Sequence, residues 1–73
     1  MAAFVEGDRL IAWCFASPDI HGKLQAVIIT ELKTGMYFAR ANAVRHRLPE
    51  RYDDERAAVM AALDFGNGLV ASG

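Results

Sequence analysis

Cys14, His21 and His46 are the side chains of this chain best suited to chemistry. A thiolate beside an imidazole is a nucleophile, and with Asp19 the three would offer sulfur, nitrogen and oxygen to a metal. Their spacing supports neither role. Metal ligands come in close pairs, and Asp19-x-His21 is the one close pairing here. Cys14 stands inside the apolar run Ile11-Ala12-Trp13-Cys14-Phe15, where burial raises a thiol's pKa and leaves it inert. Asp53-Asp54-Glu55 gather three carboxylates, but at a helix start these cap amides and favour the positive end of the dipole. Gly66-x-Gly68 follows a helix rather than opening one, so it does not read as a phosphate loop. The residues therefore predict no catalytic group, no metal, no cofactor and no enzyme.

Cations and aromatics carry the remaining chemistry. Arg40, Arg45, His46, Arg47 and Arg51 precede the acidic helix start with one acid, Glu50, among them. If Arg40 projects beside Trp13, Phe15 and Phe38, that face combines cations with stacking rings, as single-stranded nucleic-acid binders do. The bland alternative is that the arginines pair with the helix-start carboxylates or coat a solvated loop. A net charge of −1 gives no global attraction to nucleic acid or anionic lipid.

Three strand-like runs and a helix must position these groups. The first run, Arg9 to Ala16, is apolar on both sides: Ile11, Trp13 and Phe15 alternate with Leu10, Ala12, Cys14 and Ala16. Pro18, Asp19 and Gly22 mark a turn. The second run, Lys23 to Leu32, contains Val27-Ile28-Ile29-Thr30, four β-branched residues in succession. Lys33-Thr34-Gly35 is a hairpin signal, and Met36 to Val44 follows as the third run. With Thr34 and Gly35 as the loop, Lys33 pairs with Met36, Ile29 faces Arg40 and Val27 faces Asn42, while Trp13 pairs with Val27. One sheet face then carries Ile11, Trp13, Phe15, Val27, Ile29 and Phe38, and the other is rich in alanine, which lets a helix approach. A slip of one residue in the third strand would exchange its two sides.

The helix is expected from Asp53 to about Leu69. Ala58, Val59, Ala62, Leu63, Phe65, Gly66, Leu69 and Val70 share one arc at its 3.6-residue period; Arg56, Ala57, Met60, Ala61, Asp64 and Asn67 share the other. The stretch Arg51-Tyr52-Asp53-Asp54-Glu55-Arg56-Ala57-Ala58, continuing to Ala61-Ala62-Leu63-Asp64-Phe65-Gly66, resembles the C-terminal helix of small uncharacterised bacterial proteins built as three strands and a helix. That resemblance implies a fold and no activity. The strand order is also similar to that of double-stranded RNA-binding domains, but the carboxylates at the helix start stand where those domains hold phosphate with lysines.

The expected architecture is α+β: a single domain over 1–73, a three-stranded antiparallel meander packed on one C-terminal helix. A chain of 73 residues with one free cysteine has a marginal core by itself and no disulfide to support it. The uncovered aromatic face therefore predicts a homodimer, or an unidentified protein partner, meeting Ile11, Trp13, Phe15, Val27, Ile29 and Phe38, or the Met60 side of the helix. The runner-up is a single-stranded nucleic-acid binder using Arg40, Arg45, Arg47 and Arg51. No apolar run nears the roughly 20 residues that cross a bilayer, so no membrane partner is expected, and the N-terminal residues lack a secretory pattern, which points to the cytoplasm.

Overall fold

The structure is a computed structural model; it describes residues 1–34 and 37–72, with side-chain surroundings for 1–33 and 43–72. The sheet has four strands, not three: β1 (Ala2–Glu6), β2 (Leu10–Pro18), β3 (Leu24–Thr34) and β4 (Tyr37–Arg47), all antiparallel in the order β1-β2-β3-β4. One helix, α1 (Glu55–Ser72), follows. The extra strand is the segment before Asp8. Gly7 N–H donates to the Leu10 carbonyl at 2.8 Å, turning the chain back so that Phe4 pairs with Trp13 and Val5 with Ala12.

Two registers differ from the expected ones. Trp13 pairs with Ile29 rather than Val27, a shift of two that leaves the faces unchanged because side chains alternate with period two. The β3–β4 pairing changes more. Lys33 pairs with Phe38 and Leu32 with Ala39, but Thr30 pairs with Val44, so Glu31 alone spans residues 40–43 of β4. That bulge reverses the faces of β4 beyond it. Ile29 accordingly faces Arg45, not Arg40, and Val27 faces Arg47, not Asn42. The expected hairpin residues Gly35 and Met36, and the side chains of Phe38 and Arg40, lie outside the described residues.

The helix covers the alanine-rich face. Ala12, Cys14, Ala26, Ile28 and Ala62 form the buried core, with Val5, Leu48, Tyr52, Leu63, Leu69 and Val70 packed around it. Small side chains on β2 and β3 let α1 sit close, and Ala58, Val59, Ala62 and Gly66 are its buried positions. The segment before α1 is clipped to the sheet by two backbone bonds between Leu24 and Tyr52, at 2.8 and 2.9 Å. Asp53, expected as a cap, instead pairs its carboxylate with Lys23 across the β2–β3 turn, and the Asp54 carbonyl accepts the Ala58 N–H at 3.2 Å.

Candidate interaction surface

Opposite the helix, the sheet presents rows of side chains that run across its strands. One row is Phe4, Trp13, Ile29, Arg45; the next is Ala2, Phe15, Val27, Arg47. Phe4 and Trp13 are 55% and 40% exposed, and their rings lie 5.2 Å apart at an interplanar angle of 39°. This is within the range of favourable aromatic pairing, yet both rings still face outward. The surface thus has an aromatic edge on β1 and a cationic edge on β4. The end towards Glu6 closes differently: Lys33 Nζ lies 2.9 Å from Glu6 Oε2 and also donates to the Gly7 carbonyl.

The expected interface residues separate on this surface. Trp13, Phe15 and Ile29 occupy it. Ile11 and Val27 belong to the same face but are only 3% and 0% exposed; they support the surface from beneath and offer a partner almost no area. Met60 is exposed on the far side of α1. Phe4 is the residue that sequence reasoning missed, because its role depends on β1 pairing with β2. Comparison with protein-family models, with curated proteins and with solved structures finds no match. The reading of this surface therefore rests on its geometry.

The arginines likewise separate. Arg45 and Arg47 lie within β4, not in a loop, and make no ion pair among the described residues. Arg51 is held by Asp19, with Nε donating to Oδ2 at 2.9 Å, so it does not pair with the helix-start acids. Asp19 also accepts the backbone N–H groups of His21 and Lys23 on Oδ1, at 2.8 and 3.0 Å. Desolvation pushes the Asp19 carboxyl up; the Arg51 bond, the two backbone bonds and the Arg51 charge outweigh it and hold the pKa below the usual aspartate value. Asp19 therefore stabilises the fold above about pH 3.9, and that contribution disappears as pH falls through its lower folded value. Urea midpoints of wild type and Asp19→Asn should converge on acidification below that point; a constant gap across the acid range would contradict the assignment.

The groups considered for thiol or metal chemistry are kept apart. Cys14 pairs with Ile28, which pairs with His46, so a full strand separates the thiol from the imidazole. The His46 ring packs instead near Phe65, at 5.7 Å between centroids. His21 lies in the exposed β2–β3 turn, where Gly22 takes φ 79°. Among the described residues no cluster of three metal-ligating side chains occurs. Cys14 is fully buried, and that burial pushes its thiol pKa up. Its labelling by a disulfide reagent should be limited by opening of the helix and should speed up in urea in step with unfolding; rapid labelling of the native protein would refute a sealed thiol.

Proposed function

We propose that this chain is a non-enzymatic interaction module that self-associates through the sheet face opposite α1. The observation that carries the reading is the Phe4–Trp13 pair, two large rings exposed side by side on a sheet, since apolar patches of this kind mark interaction sites. A second copy suits the surface because its two edges are complementary. A two-fold axis parallel to the strands lays β1 of one protomer over β4 of its partner. Phe4 then meets Arg45 across the interface, and Trp13 meets Ile29, twice by symmetry. An axis across the strands would set the two arginine edges against each other. Sheets pack face to face in nearly aligned fashion at about 10 Å, which accommodates these side chains. No helix among the described residues is long and apolar enough to cross a membrane, and a cytoplasmic setting agrees with a free, buried thiol.

Sedimentation equilibrium over a wide concentration range tests the reading: a two-fold mass that persists in high salt supports it, and a monomer at every concentration refutes it. One observation favours a second reading. The β4 bulge puts Arg45 and Arg47 in the same rows as the aromatic rings, the combination that binds single strands by stacking and charge. On that reading the protein binds oligothymidylate with an affinity that falls steeply with salt and with Arg45→Ala or Arg47→Ala.

A further inference from the structure

Where β2 turns into β3, the end of β4 closes an open cleft of about 600 Å³, walled by Pro18 and lined by Asp19, His21, Gln25, Arg47 and Arg51. Two guanidinium groups border it; Arg51 is oriented by its neighbours, and Arg47 touches Gln25 at the long end of hydrogen-bond range. Arg51 is fixed at Nε by Asp19, and Nη1 donates to the Pro49 and Glu50 carbonyls at 2.7 and 3.4 Å. Nη2 of Arg51 has no acceptor among the described residues. Gln25 is anchored through Nε2 to the Leu48 carbonyl at 2.8 Å, which leaves Oε1 facing Arg47 Nη1 at 3.5 Å. The other Arg47 donors have no protein acceptor among the described residues.

The one carboxylate in the cleft is already engaged. Asp19 accepts three hydrogen bonds from Arg51, His21 and Lys23. Lys23 in turn pairs with Asp53. Two arginines against one aspartate leave the cleft with a net positive charge. A guanidinium presents parallel N–H donors at the spacing of oxyanion oxygens. We propose that this cleft binds a phosphoryl group, held between Arg47 and the free Nη2 of Arg51, with Gln25 and His21 at its sides. Either a free phosphomonoester or a phosphate within a single strand would supply that group. The site lies at the end of the sheet, where Arg47 also closes the Phe15 row, while Asp19, His21 and Arg51 stand outside both aromatic rows.

The test is a titration with inorganic phosphate, then with phenyl phosphate and with oligothymidylate, at constant ionic strength, following the arginine Nε–H resonances by NMR. Saturable shifts at Arg47 and Arg51 are expected, with chloride at the same ionic strength giving none. Arg47→Gln, on an exposed outer strand and clear of the core, should weaken phosphate binding about tenfold or more, the usual loss for a charge-assisted bond. Arg45→Gln, in the neighbouring row, should change it less than about twofold on the same scale. Tighter binding of phenyl phosphate than of the oligonucleotide assigns the source as a monoester, and the reverse assigns a strand. Shifts that do not saturate with any phosphate, or that survive Arg47→Gln unchanged, overturn the proposal.

Discussion

Trp13→Ala is expected to weaken self-association by about 30-fold or more, the loss of roughly 2 kcal/mol that truncating a central aromatic at an interface produces. Trp13 stands in the second position of its row, between Phe4 and Ile29, and therefore near the middle of the surface. Its ring is 40% exposed in the single chain, so a partner has substantial area left to cover. Phe4→Ala should act in the same direction but less, because β1 is the sheet's edge and edge contacts keep access to water. Arg45→Glu separates the two ways in which the surface can pair with a second copy. In a dimer paired β1 over β4 it replaces a cation above the Phe4 ring with an anion, weakening association, whereas a dimer built across the strands would gain by losing its arginine repulsion. Circular dichroism of each variant shows whether the fold survives. A dimer constant unchanged by Trp13→Ala, with the fold intact, would place the interface elsewhere.

The α+β class and the C-terminal helix could be read from the residues, because each depends on local periodicity; which sheet face the helix covers is decided by packing. Ala12, Cys14, Ala26 and Ile28 alternate along two strands, and the helix meets them with Ala58, Ala62 and Gly66 at its own period. The first strand was not legible. Ala2–Glu6 is five residues long, and what makes it a strand is the open edge of β2, a partner that lies beyond its own turn. Register failed for a related reason. The expected β3–β4 pairing runs from the hairpin without interruption, while the structure inserts a bulge opposite Glu31. Nothing in Arg40-Ala41-Asn42-Ala43 announces it, since no glycine or proline occurs there. The consequence reaches the candidate site: without the bulge Arg45 and Arg47 would point to the helix side, and Arg40 rather than they would stand on the aromatic face. Sheet shape also decides what alternation cannot, since Ile11 and Val27 share the aromatic face with Trp13 yet are closed over by their neighbours.

Two glycines of α1 should respond to the same substitution with opposite signs. Within a helix, Gly→Ala ordinarily stabilises by about 1 kcal/mol, because alanine loses less backbone freedom on folding. Gly68 has open space where a Cβ would stand, with nothing within 4 Å, so Gly68→Ala should gain up to that amount. Gly66 lies where the helix presses on the sheet. A Cβ there would sit 2.8 Å from Cys14 Sγ and 3.4 Å from Ala12 Cβ. The first distance is far inside van der Waals contact, and both opposing atoms belong to short, fully buried side chains on β2. Neither can swing away, so α1 must lift from the sheet. Overpacking of this kind costs about 1–3 kcal/mol, which exceeds the helix-propensity gain. Gly66→Ala should therefore lower the urea midpoint while Gly68→Ala raises it. The cause is checked by the double variant Cys14→Ala with Gly66→Ala. Removing the sulfur opens the space that the new methyl needs, so the two changes together should cost less than the sum of their separate costs, a coupling of about 0.5 kcal/mol or more. Strict additivity would mean that the helix does not rest on Cys14, and that the close approach of α1 to β2 is not what requires a glycine at position 66.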